Sequence, residues 1–466
     1  MAAHEPTTLI ILGASGDLTR RLLLPGLGTL LAADPQLLVR VWGSARNDLD
    51  DWSQTLQEAL SEGGAPADAI APIVGETRYL PLDITDGREL DRLLDAVPDL
   101  DHAVLYFALP PAVTVTVCQL LADRRIGGLR LALEKPFGTD LESARELNRL
   151  LATFREEEQV FRVDHFMGEA QVLNLLGLRF ANAIFQPVWD AKYIERVDIV
   201  ADETLALEGR AGYYDGTGAL IDMLQSHLLL VMSLVAMERP ARVEAAELRE
   251  LMAEALRATR LAGDPFAASR RARYTAGTVD GQDVPAYVDE PGVDPSRATE
   301  TLAELDLLVD TDRWAGVPFR LRSGKALGVQ DWRIDLHFAP TRDVPEGLGG
   351  RAPAERLTMH LSPDVIDVRI ATNGGGDKFR LESTHLTAKL SDSPVRPYGE
   401  ILAKILDGDP LLSVRGDVSQ ECWRICDPVL AAWRAGQVPL QEYPAGSQGP
   451  HGWSGSQQPE STSTKG

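Results

Sequence analysis

Short β-branched runs alternate with amphipathic stretches through the first third of the chain, and that alternation leaves few folds open. Residues 8–13 (Thr-Leu-Ile-Ile-Leu-Gly) read as a buried strand, followed by Ala14-Ser15-Gly16-Asp17-Leu18 and an apolar-periodic helix over 18–31. Further strand signals stand at 38–43, 79–82, 102–109, 129–133 and 160–163, with a helix over 140–155 before the last of them. Strands separated by helices make a parallel sheet with right-handed crossovers. Such open sheets bind ligands beyond the carboxyl ends of their strands, so the polar residues there are the first candidates for a site.

The first strand ends in a glycine turn made of Gly13, Ser15, Gly16, Asp17 and Leu18. Gly13 permits a sharp reversal, Gly16 lets backbone approach a pyrophosphate, and the helix amino terminus presents its N–H groups to it. The second strand ends in Ser44-Ala45-Arg46-Asn47, where a dinucleotide fold meets the adenosine ribose. An acid there suits a 2′-hydroxyl and an arginine a 2′-phosphate, so Arg46, aided by Arg20 or Arg21, points to NADP. Lys135 follows the strand at 129–133, and the apolar run 160–163 delivers Asp164 and His165 to its carboxyl end.

After residue 170 the pattern changes. Strands at 193–200, 333–338, 357–361 and 365–370 alternate apolar and polar residues without a helix between each pair, which favours an antiparallel sheet with one covered face. Residues 216–238 form a long apolar helix whose polar groups are Asp222 and His227, about 140° apart on an α-helical wheel. From these residues alone, His227 fits a satisfied core histidine as well as a catalyst. The fold class is therefore α/β plus α+β. A Rossmann-like dinucleotide-binding domain over 1–168 precedes a β+α domain with a large antiparallel sheet over 169–445, and a Gly/Ser/Gln-rich tail over 446–466 is expected to be disordered.

Composition narrows the partners. A net charge of −23 argues against nucleic acid and acidic membranes, so any anionic ligand must be met by local basic residues. The three cysteines make no even disulfide framework, and Cys422 and Cys426 lack the further ligands of a metal set. The amino terminus has no basic region followed by an apolar one, and nowhere do 18 uncharged apolar residues run together, which leads to the expectation of a cytoplasmic enzyme.

Several long motifs stand in order: Gly-Ala-Ser-Gly-Asp-Leu (13–18), Tyr-Phe-Ala-Leu-Pro-Pro (106–111), Glu-Lys-Pro-Phe-Gly (134–138), Arg-Val-Asp-His-Phe-Met-Gly (162–168), Glu-Gly-Arg-Ala-Gly-Tyr-Tyr-Asp (208–215), Asp-Met-Leu-Gln-Ser-His-Leu-Leu (222–229), Trp-Ala-Gly-Val-Pro-Phe-Arg-Leu-Arg-Ser-Gly-Lys (314–325) and Tyr-Pro-Ala-Gly-Ser (443–447). Through them the chain resembles the glucose-6-phosphate dehydrogenase family over nearly its whole length. The resemblance implies NADP-dependent oxidation of a small-molecule sugar phosphate at C1 and a homodimer or higher homo-oligomer formed through the large sheet. It makes His227 the general base and Asp164 the carboxylate that balances its charge. Lys135, Glu203, Asp222 and Lys325 match residues holding the sugar, with Lys325 near the phosphate, and His165 matches a phosphate ligand.

The departures from the family pattern fall together. Phe166 and Glu169 stand where the family has a Tyr and a phosphate-gripping Lys, Ser226 replaces an Asn before the base, Ser362 a Gln, and Leu22 a third basic residue after the glycine turn. A carboxylate facing a dianion replaces attraction with repulsion. Two other readings follow: a dehydrogenase of another or an unphosphorylated aldose, and a non-catalytic NADP-binding regulatory homologue. Retention of Asp164, His227, Lys135 and Lys325 speaks against the second.

Overall fold

The computed structural model describes residues 6–453 apart from Glu208, Arg210 and Arg351. The chain divides into two compact units. One comprises the residues up to Asn174 together with Glu238–Ala253 and Asp392–Trp423; the other comprises Leu175–Met237, Glu254–Ser391 and the residues from Arg424 onward. A single cut after residue 168 therefore does not describe the chain, because two later segments return to the first unit. The contact that brings one of them back is helix on helix, Pro397–Asp407 against Leu24–Ala33. It is close because Gly26 and Gly399 face each other: a Cβ on Gly26 would lie 2.8 Å from the Tyr398 Cβ, and one on Gly399 would lie 2.6 Å from the Gly26 carbonyl oxygen. Two glycines so far apart in sequence give no local signal of this packing.

The first unit contains a six-stranded sheet of β1 (Thr7–Leu12), β2 (Val39–Ala45), β3 (Arg78–Pro81), β4 (Ala103–Phe107), β5 (Arg130–Glu134) and β6 (Val160–Val163). All pairings are parallel and the order is β3-β2-β1-β4-β5-β6. The β-branched runs read from sequence become its core, with Leu9, Ile10, Ile11, Val104 and Leu105 fully buried. The order reverses between β1 and β4, the switch point beside which doubly wound sheets bind a dinucleotide.

The second unit is built on β7 (Ile194–Asp202), β8 (Thr259–Leu261), β9 (Ser269–Thr275), the small hairpin β10 (Gly277–Val279) and β11 (Gln282–Val284), β12 (Leu302–Val309), β13 (Pro318–Gly324), β14 (Asp331–Phe338), β15 (Arg356–Ser362), β16 (Asp364–Asn373), β17 (Leu381–Lys389) and β18 (Leu440–Pro444). The large sheet runs β17-β16-β15-β14-β7-β13-β12-β9-β18, with β8 beside β12. Its pairings are mainly antiparallel, as expected, with β7–β13 and β9–β18 the two parallel pairs. Alternation sorts its side chains. Val197, Ile199, Leu305, Phe319, Leu321 and Ile334 are buried on one face, where the helical stretch from Leu220 packs on β7, β12 and β13. On the other face Arg320 pairs with Asp306 at 2.7 Å, Arg333 with Asp335 at 2.7 Å and His337 with Asp198 at 2.8 Å.

The tail expected to be disordered from residue 446 is not so at its start. Gly446 donates to the Ala326 carbonyl at 2.8 Å and Trp453 is 4 % exposed; residues 454–466 lie outside the described residues. Among the described residues no helix is long and apolar enough to cross a membrane.

Candidate active site

At the end of β1 the chain turns at Gly13 with φ +84°, and a Cβ there would stand 2.1 Å from the Ala108 carbonyl oxygen, so only glycine fits. The turn is tied by Gly13 N–H to Ser44 O at 2.8 Å and Gly16 N–H to Gly13 O at 2.9 Å. Ser15, Gly16 and Asp17 are exposed and Leu18 is half-buried, ahead of a helix that begins as a π stretch, Thr19–Leu23, before continuing as Leu24–Ala33. Backbone N–H groups at such a start suit a pyrophosphate.

Arg46 is exposed immediately after β2, and Arg20 is exposed on the π stretch. Tyr79 of β3 donates to the Asn47 carbonyl at 2.8 Å; burial and Asp48 push its phenol up while Arg20 pulls it down. Arg46 likewise helps to hold the Asp83 carboxyl low, after the hydrogen bonds from Thr85. Two guanidinium groups therefore act at the carboxyl ends of β2 and β3, the place where a 2′-phosphate would need them, and these residues fit NADP.

Further along the same edge, Asp164 is 1 % exposed and accepts from the Phe166 N–H at 3.0 Å. The half-buried His165 ring stacks on Tyr398 at 5.8 Å and 14°. Lys135 is half-buried just past β5, beside Glu134, whose carboxyl accepts from Tyr106 and Tyr398. Burial pushes the Glu134 carboxyl up to about 7, and Asp164 adds to the rise, while the Tyr106 hydrogen bond, Lys135 and Tyr398 oppose it. Sequence reading missed Glu134, Tyr106 and Tyr398; the first two lie inside motifs noted above, but their partnership is a product of strand order. Glu169, half-buried, precedes the helix Ala170–Phe180.

The second unit holds the remaining candidates. Glu203 follows β7 and Lys325 follows β13, and the two form an ion pair. The Lys325 ammonium also lies 5.3 Å from the centre of the Tyr214 ring. The Tyr214 phenol is pushed far up, by burial first, then by Asp222, Glu300, Tyr443 and Glu203. Lys325, Glu203 and Asp222 thus converge on Tyr214, a residue that reasoning from the sequence left unassigned.

Asp222 and His227 sit on a π stretch, Leu220–Leu228, continued by the α-helix Leu229–Ala236. The 140° separation expected on an α-helix does not hold here. Hydrogen bonding from i to i+5 widens the turn, so residues five apart come close to one turn apart, and π turns of this kind recur at functional sites. His227 is 1 % exposed, and Ser226 donates from its hydroxyl to the Asp222 carbonyl at 3.3 Å.

Residues 10–174 match the family described as glucose-6-phosphate dehydrogenase, NAD binding domain, and residues 176–460 match glucose-6-phosphate dehydrogenase, C-terminal domain. The glucose-6-phosphate 1-dehydrogenase of Gluconobacter oxydans (strain 621H) is 37 % identical, over 96 % of this chain and 95 % of that protein. That of Treponema pallidum (strain Nichols) is 36 % identical, over 96 % and 92 %. A solved structure of glucose-6-phosphate dehydrogenase in complex with its substrate glucose-6-phosphate superposes with a TM-score of 0.87 at 27 % identity, covering 96 % of each chain. The chain belongs to the glucose-6-phosphate dehydrogenase family.

Proposed function

We propose that this protein oxidises glucose 6-phosphate at C1 to 6-phosphogluconolactone, with His227 as general base and Asp164 as the carboxylate that balances the imidazolium. Removal of the anomeric hydroxyl proton by His227 lets the C1–H bond break with its electron pair and the C1–O1 bond become the lactone carbonyl. NADP supplies the hydride acceptor when bound. Imidazole suits the proton transfer because it is the side chain that can take up and release a proton closest to neutrality.

Lys135, Glu203, Asp222 and Lys325 hold the sugar, and His165 with Lys325 meets the phosphate. Gly13, Ser15, Gly16, Asp17, Leu18, Arg20, Arg46 and Lys135 bind the coenzyme. The observation that carries this reading is the convergence of Lys325, Glu203 and Asp222 on Tyr214, with Asp222 on the same π stretch as His227. It is tested by steady-state kinetics on glucose 6-phosphate with NADP, in wild type and His227→Asn. The readings as a dehydrogenase of another aldose and as a non-catalytic regulator are disfavoured by the relatives described above, all glucose-6-phosphate dehydrogenases.

The protein works in the cytoplasm as a homodimer or higher homo-oligomer that forms through the large sheet. Supporting that surface, β16 is half-buried along nearly its whole length and Leu386 on the edge strand β17 is 55 % exposed, an apolar margin suited to a second copy. Sedimentation of the wild type at micromolar concentration reads the oligomeric state, and a monomer under those conditions overturns this part.

A further inference from the structure

We propose that Glu300 and Thr301, the two residues that immediately precede β12, are positioning residues for the oxidation: they fix the helical stretch carrying Asp222 and His227 relative to the loop carrying Lys325. The inference rests on the reading of those three residues as catalytic and sugar-binding groups.

The Glu300 half of the node is a bond to a helix start. Glu300 is 6 % exposed, and its Oε1 accepts from the N–H of Leu220, the first residue of the π stretch, at 3.0 Å. The Ala219 N–H also donates to the Glu300 carbonyl, at 3.3 Å. Gly218, with φ +66°, leads into this turn, and a Cβ there would lie 2.3 Å from Oε1, so the carboxylate rests directly on the backbone that starts the helix. The first N–H groups of a helix have no intrahelical acceptor, and the positive end of the helix dipole favours a carboxylate there. Burial pushes the Glu300 acid up to about 7, while the Leu220 N–H and Arg271 of β9 favour its charged form.

The Thr301 half is a chain of hydrogen bonds to Lys325. The Tyr274 N–H donates to Thr301 Oγ1 at 3.0 Å, Thr301 Oγ1 and Tyr443 Oη are 2.8 Å apart, and Tyr443 Oη donates to the Lys325 carbonyl at 2.6 Å. With Tyr443 donating onward, the threonine hydroxyl supplies the middle proton. The Lys325 N–H closes the loop on the Thr301 carbonyl at 2.8 Å. Thr301 is fully buried and Tyr443 is 1 % exposed, so water offers no substitute acceptors or donors. One dipeptide therefore anchors the proton acceptor's helix on one side and the sugar-holding ammonium's backbone on the other. A displacement of about 1 Å between reacting groups lowers rates by roughly a hundredfold.

The test uses the full-length protein, glucose 6-phosphate and NADP. Glu300→Ala should lower kcat about a hundredfold while leaving the Kd for NADP, read by fluorescence titration, within about twofold. Glu300→Gln, whose amide oxygen still accepts from the Leu220 N–H, should recover most of that loss. Thr301→Val, which keeps the shape and removes the hydroxyl, should instead raise KM for glucose 6-phosphate about tenfold with little change in kcat, because it loosens Lys325 rather than His227. A Glu300→Ala enzyme with wild-type kcat, or a Thr301→Val enzyme with wild-type KM, overturns the proposal while an inactive His227→Asn enzyme leaves the reading of the base standing. Near-normal turnover by His227→Asn overturns both. If circular dichroism shows Glu300→Ala unfolded, Thr301→Val decides.

Discussion

Glu203 and Lys325 meet because β7 and β13 run parallel and in register: Asp202 lies opposite Gly324, and the next residue of each strand leaves the sheet at the same edge. Antiparallel neighbours would have sent the two to opposite ends. The side chains are 17 % and 7 % exposed, so each charge depends on the other for much of its stabilisation.

Lys325→Met is accordingly expected to raise KM for glucose 6-phosphate by about a hundredfold and to lower Tm, since it strands a carboxylate in a half-dry site. Adding Glu203→Gln should return the lost stability but not the affinity. Thermal denaturation and initial-rate kinetics on the two single variants and the double variant check this, and independent effects on Tm would show that the pair is not the source of the stability.

His227→Asn should lower kcat by roughly 10²–10⁴ with coenzyme binding nearly unchanged, because general-base catalysis acts on the chemical step. Loss of NADP binding together with activity would point to misfolding and remove the support for His227 as the base.

The local grammar of the first unit was legible in the sequence. β1, Gly13 and the helix after it follow from strand propensity and one obligatory left-handed turn, which are properties of neighbouring residues. Asp164, His165 and Lys135 stand out in the sequence as candidates for the same reason, as polar residues at strand ends. What escaped was set by partners distant in sequence. The parallel pairing of β7 with β13 joins segments more than a hundred residues apart and looks, strand by strand, like the antiparallel alternation around it. The π stretch at Leu220–Leu228 changes the angular step on which a helical wheel depends, and no residue in it announces the change. The Gly26–Gly399 approach, which returns Asp392–Trp423 to the first unit, joins two glycines far apart in sequence whose neighbours carry no signal of the contact.

Arg46 should govern the choice of coenzyme. A guanidinium on the 2′-phosphate contributes about 1.5–3 kcal/mol, so Arg46→Ala is expected to cut kcat/KM for NADP by roughly tenfold or more and to leave NAD almost unaffected. Equal efficiency with both coenzymes in the wild type would remove Arg46 from this role.

Glu134 makes stability depend on pH. Its carboxyl is raised in the folded protein to about 7 from an ordinary value of 4.5, so the folded state binds a proton more readily than the unfolded one. That contribution is complete below the unfolded pKa and disappears as pH rises through about 7. Glu134→Gln, which cannot ionise, should gain stability relative to wild type on going from pH 5.5 to 8.5, on the order of 2 kcal/mol in urea titrations. A constant difference between the two proteins across that range would mean that Glu134 titrates normally.

The last expectation concerns the phosphate. Phe166 is 1 % exposed and Glu169 half-buried, and the resemblance matches these positions to a tyrosine and a lysine. If the proposed assignment of the phosphate to His165 and Lys325 holds, those donors are gone and Glu169 opposes the dianion, so the KM for glucose 6-phosphate in the wild type should be high. Glu169→Lys together with Phe166→Tyr restores one charge-assisted hydrogen bond and one hydroxyl donor, and should lower KM for glucose 6-phosphate by about tenfold or more. Unphosphorylated glucose carries nothing for the new groups to grip, so its kinetics should barely change. If the wild type already binds glucose 6-phosphate tightly and the double variant gains nothing, the phosphate is held by other residues. If the gain appears equally for glucose, the substitutions act on the sugar, and Glu169 is not the group opposing the phosphate.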